Sequence, residues 1–227
     1  TNGGGVYVSG GTFEMHGSSA ITGCSGNYGG GVYVSGTFEM HDTSTITGCT
    51  ASKGGGVYVS SGTFKMHGSS AIAECSAKNS GGGVHVKDGT FKMSGSAVVT
   101  PKADTPGKHE NDVYLESRKT ITVDGTLSNN PAARITPESY TEDTPVLTGN
   151  ITSGSPQNRK KFTVPPQKVT VESEDWNVFW YIADNGNLKA EVEDPVMLKT
   201  VINDSPNNTI IKLGNISDLQ TVEIWGY

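Results

Sequence analysis

A right-handed parallel β-helix is the fold class this sequence predicts. Three observations predict it: a repeat of about 26 residues, two-residue alternation inside each repeat, and glycine-rich corners between the alternating pieces. GGGVYV begins at Gly3, Gly29 and Gly54, and GGGVHV at Gly81, so the spacings are 26, 25 and 27 residues. Each copy runs on through TFEM or TFKM. Three copies continue into a short apolar piece that ends in Cys: AITGC, TITGC and AIAEC.

One repeat reads as three short strands separated by polar corners. In the first copy these are Val6-Tyr7-Val8, Thr12 to His16, and a strand starting at Ala20 to Thr22. Alternation with period two is a strand signature, not a helical one. It puts Phe13 and Met15 on one face and Thr12, Glu14 and His16 on the other. The apolar pairs that follow are Phe38 and Met40, Phe64 and Met66, and Phe91 and Met93. Strands this short cannot bury enough surface alone. Wound into coils and stacked at about 4.8 Å, they place like residues in ladders. Parallel strands joined by crossovers turn right-handed in nearly all cases. The periodic Leu and Asn of a leucine-rich repeat and the 3.6-residue period of helical repeats are both missing.

Beyond Thr100 the pattern loosens. Asn111 to Leu115 replaces GGVYV and Thr120 to Leu127 replaces the TFEM strand. Ala133-Arg134-Ile135 is expected as a third strand, with Pro145 to Thr148 and Lys161 to Val164 in a degenerate coil. WNVFWYI and NLKAEV flank Asn185-Gly186, a strong hairpin signal, and a hairpin here is expected to cover the open end of the helix. The expected domain division is therefore a β-helix over 1–192, regular to 100 and degenerate from 101, followed by 193–227. That last segment opens with Asp194 as N-cap and Pro195 as first helical residue, and it pairs Met197 with Val201 and Leu198 with Ile202. It is expected to be a cap or the start of a following β-helix unit.

Composition agrees with a narrow core. Of 227 residues 33% are hydrophobic and 30 are glycine, which suits a thin core of recurring side chains better than a thick one. The net charge is −6, and over 1–100 the five lysines balance five acids, so the excess negative charge lies beyond Thr100. No basic stripe is present to neutralise phosphates, and nucleic acid is not an expected partner. The run Arg159-Lys160-Lys161 reads as a solvated turn. No apolar run of about 18 residues exists to span a membrane as a helix.

The GGGVYV…GTFEMHGSSAITGC repeats, with NDVYL…TITVDGTL and KFTV after them, resemble right-handed β-helix repeat proteins of bacterial surfaces. The multi-cassette repeat proteins of treponemes and related anaerobes are the most similar. The repeats of polymorphic outer-membrane proteins and autotransporter passengers are similar at greater distance. The resemblance covers Thr1 to about Val192. It implies a secreted or cell-surface location, an adhesive or structural role, further β-helix cassettes in the same polypeptide, and a protein or glycan ligand on a host or neighbouring cell. It supplies no catalytic residues and no cofactor.

Four features are weighed as sites. Cys24, Cys49 and Cys75 hold equivalent places, 25 and 26 residues apart, and read as a stack of buried thiols. His16, His41 and His67 read as an outward ladder with Glu14 and Glu39 beside the first two. Imidazole and carboxylate together can ligate zinc, which makes His16, His41, Glu14 and Glu39 weak metal candidates. Lys65, Lys92 and Ser94 break that pattern in the later copies, and no metal is expected. Thr12, Thr37, Thr63 and Thr90 form a further row, which strand propensity explains. Glu172, Glu174 and Asp175 are the remaining acidic group, read as a solvated turn, and Trp176 and Trp180 as core caps. The sequons, Asn150 and Asn215 among them, carry no weight.

The main alternative is a carbohydrate-active β-helix enzyme or polysaccharide-binding module. Such enzymes need clustered carboxylates, for acid–base work or to hold calcium. Near-identical coils offer no such cluster, so the chain is not expected to be an enzyme.

Overall fold

The computed structural model describes residues 2–102, 109–171 and 174–192, the side chains of 169–176 and 191–192 excepted. The expected helix from Asp194, the strands after it, the sequon at Asn215 and the side chains of the Glu172–Asp175 group and Trp176 lie outside the described residues. The described residues form an all-β, right-handed parallel solenoid of about six turns.

Each regular coil carries the three expected strands. In the first coil they are Val6–Val8, Thr12–Met15 and Ala20–Thr22. Stacking is in register: Val6 faces Val32, Phe13 faces Phe38, and Ile21 faces Ile46. There is also a fourth short strand, Ser25–Tyr28, that pairs with Thr50–Lys53 and through it with Ser76–Ser80. This strand falls where a polar corner is expected, because SGNY, TASK and SAKNS show little apolar alternation. Its strand character comes from pairing with the coil above, not from its own composition.

The core is a column of ladders. Val32, Val34, Phe38, Met40, Ile46 and Cys49 of the second coil are all fully buried, and their counterparts in the third coil are too. The phenylalanine rings stack at 5.7, 5.1 and 4.9 Å from Phe13 to Phe91. The GGG corner is sterically required. The first glycine of each triplet has φ between +65° and +68°, a region costly for other residues. At the middle glycine, a Cβ on Gly30 or Gly55 would fall closer than 3.0 Å to carbonyl oxygens of the next coil.

The later coils are reduced. Val113–Leu115 extends the first sheet and Ile121–Leu127 the second, as expected. Ala133–Pro137 is not the third strand of that coil. It pairs with Val113–Leu115, which opens a new turn on the first sheet. Leu147–Gly149 then continues the second sheet and Phe162–Thr163 the first. The third and fourth faces stop at Val98–Val99 and His109–Glu110, the latter antiparallel to Ser76–Ser80. VYV-type and third-strand segments are both three-residue apolar alternations, and without a GGG corner nothing local separates them.

Two buried asparagines close the gaps left by the lost faces. Asn111 Nδ2 donates to the carbonyls of Ile72 and Thr100, and its Oδ1 accepts from Cys75 N–H. Asn158 Nδ2 donates to Gly125 and Asn150 carbonyls at 2.8 and 2.6 Å, and its Oδ1 accepts from Leu127 N–H at 2.9 Å.

The hairpin around Asn185-Gly186 forms between Glu174–Ile182 and Leu188–Val192, and Gln167–Val171 adds a third antiparallel strand. It lies against the sixth turn. Val146 and Leu147 N–H both donate to Gly186 O, and Leu188 exchanges backbone hydrogen bonds with Asp143 and Thr144. Val178, Trp180, Ile182, Leu188 and Ala190 join the common core. Trp180 packs against Tyr140, with ring centroids 5.9 Å apart, in the capping position expected of it.

Candidate functional site: an outward histidine and carboxylate ladder

The outer face of the second sheet carries the histidine ladder. Backbone bonds from His41 N–H to Met15 O and from His67 N–H to Met40 O continue the strand pairing through the histidines, so the imidazoles stand one above the other. His16 and His41 stack with centroids 4.6 Å apart and planes 5° from parallel; His41 and His67 stack at 5.1 Å and 17°.

The carboxylates divide between two partners. Glu14 Oε2 accepts from His16 Nε2 at 2.8 Å. Glu39 instead accepts from Lys65 Nζ at 2.8 Å, with His41 Nε2 at 3.4 Å and His67 Nε2 at 3.9 Å from its other oxygen. The Lys65 ammonium holds the Glu39 carboxyl below the usual carboxylate range, and burial holds the His67 imidazole below the usual histidine range. His67 Nδ1 pairs with Ser94 Oγ at 2.8 Å. Glu14, His16 and His41 each bring one ligand atom within 4.8 Å of the others, so three of the four weighed residues converge. Glu39 stands on the same face but is turned towards lysine.

Asp42 belongs to this cluster and was not singled out in the sequence. The equivalent corner residue is Gly17, Gly68 or Gly95 in the other regular coils, all at positive φ, and Asp42 adopts φ 53° there. Its carboxylate accepts from Gly17 N–H at 2.8 Å and lies 3.9 Å from His16 Nδ1. The signal was a glycine position occupied by an acid.

The first sheet carries an aromatic ladder that the sequence analysis does not single out. Tyr7, Tyr33, Tyr58, His85 and Tyr114 stack at 5.0, 5.5, 4.9 and 4.9 Å. The middle residue of VYV must point outward by alternation, so the signal was the triplet itself. His85 replaces a tyrosine in this stack and is fully buried. Its Nδ1 meets Ser80 Oγ and its Nε2 meets Glu116 Oε1, both at 2.9 Å, with Lys53 Nζ 3.9 Å from the same oxygen. A carboxylate only accepts, so Nε2 carries the proton and Nδ1 accepts from Ser80. Burial pushes the His85 imidazole down. Serine, histidine and glutamate in this order are the parts of an acyl-transfer triad. The nucleophile of such a triad has to meet substrate, whereas Ser80 is 5% exposed and His85 is sandwiched between two tyrosines. The chain of bonds satisfies a buried imidazole in a structural stack.

The cysteine and threonine rows are built into the stacked coils. Cys49 and Cys75 are buried and Cys24 half-buried, all as free thiols. Each donates to a carbonyl two residues back. The neighbouring Cys49 and burial push the Cys75 thiol up. Thr12, Thr37, Thr63 and Thr90 pair in register along the edge of the second sheet. A cavity of about 210 Å³ lies at the corner between Leu115–Lys119 and Pro137–Pro145, smaller than typical small-molecule sites of about 300–1,000 Å³. No helix among the described residues is long and apolar enough to cross a membrane. No family model, curated protein or solved structure matches the chain.

Proposed function

We propose that this chain is a structural or adhesive segment of a secreted or surface-anchored bacterial repeat protein, and that it binds a protein or glycan on another cell through its long faces. The reading extends the sequence resemblance to bacterial surface β-helix repeat proteins. The observation that carries it is the unbroken register of the regular coils. Outward residues repeat rung by rung, giving long rows instead of one differentiated centre. Identical rungs suit repeated weak contacts along an extended ligand, where several joined modest contacts add up to firm attachment. Stacked coils that contact only their neighbours also make a stiff spacer. Glu14 and Glu39, the in-register acids of the first two coils, are engaged with His16 and Lys65 respectively.

A glycan and matrix-protein array, run beside a reducing-sugar assay on uronate polymers, tests the reading. The expected result is saturable binding to an extended ligand with no turnover. Turnover that disappears on replacing a single carboxylate would instead establish the carbohydrate-active alternative.

A further inference from the structure

We infer that Glu14, His16 and His41 form a binding site for one divalent transition-metal ion of the zinc type, on the outer face of the first two coils. The inference stands apart from the adhesive reading and does not need it.

Three donors are already assembled. Their ligand atoms lie within 4.8 Å of one another, and they come from positions two apart on one strand plus the matching position on the next. Around a tetrahedral zinc with bonds of about 2.0–2.2 Å, ligand atoms sit roughly 3.4 Å apart. The required closure is therefore on the order of an ångström, and it exchanges the Glu14–His16 hydrogen bond and the parallel His16–His41 ring stack for bonds to the ion. His16 and Glu14 are 59% and 46% exposed. Two imidazoles and one carboxylate leave a fourth position for water, the composition of open zinc sites.

Two independent observations point to a ligand here. His41 Nε2 is enclosed and makes no hydrogen bond, although Glu39 Oε2 stands 3.4 Å away. A ring nitrogen held only by that 3.4 Å ion-pair approach is poorly satisfied, and coordination would satisfy it better. The second is Asp42. This acid replaces the corner glycine only in the coil beside His16, and its carboxylate faces His16 Nδ1. Metal-bound histidines commonly turn the second nitrogen to a carboxylate, which orients the ring and strengthens the donor. Higher on the ladder the donor set fails: Lys65 occupies Glu39, and Lys92 and Ser94 replace Glu and His. The site is thus confined to one place on an otherwise repetitive face.

Isothermal titration of the whole chain with zinc chloride tests the assignment, with Mg²⁺ as the hard-ion control and far-UV circular dichroism to confirm folding of each variant. One equivalent of zinc is expected to bind, with no response to Mg²⁺. His16→Ala, His41→Ala and Glu14→Gln are each expected to weaken binding by about tenfold or more. A zinc-dependent rise in unfolding temperature should appear in the wild type and vanish in His41→Ala. Absence of saturable zinc binding, or binding of unchanged strength in any of the three variants, overturns the inference.

Discussion

The coils over 3–100 and those over 109–164 solve the same packing problem by different means. The regular coils repeat one solution. Phe, Met, Val and Ile stack on their own kind, and the glycine corner lets backbones approach. The later coils abandon two of the four faces and replace ladder contacts with individual side-chain bonds from Asn111 and Asn158 to backbone groups. Lys161, itself buried, adds another, donating from Nζ to the Leu127 carbonyl. Repetition makes stability a sum of near-equal interfaces between neighbours. Departure from it concentrates stability in a few polar contacts, each of which cannot be lost without leaving buried groups unpaired.

The largest expected effect breaks the regular side. Phe64 is fully buried and stacked on Phe38 at 5.1 Å and Phe91 at 4.9 Å. Phe64→Ala is expected to cost about 3–5 kcal/mol in urea denaturation. Phe13→Ala, in the first coil with one ring neighbour and partial exposure, should cost clearly less. Equal losses at the two positions would show that neighbour stacking is not what distinguishes the middle of the column.

The counterpart on the degenerate side is Asn158→Ala. It removes the acceptor for Leu127 N–H and the donors to Gly125 and Asn150 carbonyls, with no water-accessible substitute. A loss of about 3 kcal/mol is expected. Hydrogen exchange should accelerate at the Leu127 amide before it does so in the regular coils. Uniform acceleration throughout the chain would mean that the two regions unfold as one unit.

What could be read in advance follows the same division. The ladders of Phe13, Met15 and Ile21 were legible because period-two alternation recurs at a fixed spacing, which identifies the faces, the register and the core together. The placement of Ala133–Pro137 was not, because a three-residue apolar alternation without its glycine corner fits two sheets equally well. Nor was the fourth strand, which exists only through its neighbour in the next coil. For the site, the histidine rows and Glu14 could be read from spacing. The turning of Glu39 to Lys65 could not, because it depends on a rotamer choice between two partners on the same face. Asp42 and His85 were visible as departures from the repeat, but what each touches only the stacking reveals.

His85 carries a smaller, pH-dependent prediction that separates the tyrosine stack from its one exception. Burial, opposed by Glu116, lowers its proton affinity from the ordinary histidine value of 6.5. A group that stays neutral when folded but takes up a proton when unfolded contributes stability above the unfolded pKa. That contribution is lost as pH falls below about 6.5, at no more than about 1.4 kcal/mol per pH unit. Comparing urea midpoints at pH 7.5 and 5.5, His85→Tyr should remove this component of the acid sensitivity and restore the stack between Tyr58 and Tyr114. An identical acid response in the variant would place the sensitivity elsewhere.

The smallest effect on stability sharpens the comparison within the regular region itself, between coils that hold an acid–histidine cluster and coils that hold lysine. Lys65 pins Glu39 Oε1 at 2.8 Å, while Oε2 faces the imidazoles of His41 and His67. Lys65→Met removes that pin while retaining a strand-compatible stem. The ion pair is partly exposed, so its loss should cost only about 0.2–1 kcal/mol. The released carboxylate already stands 3.4 Å from His41 Nε2 and is expected to supply a fourth ligand to an ion held by Glu14, His16 and His41. Zinc affinity should therefore rise severalfold while the stoichiometry stays at one. If affinity is unchanged, Glu39 lies beyond the reach of the ion. The cluster would then owe its composition to the first coil and to Asp42 alone, and the second coil would contribute only His41.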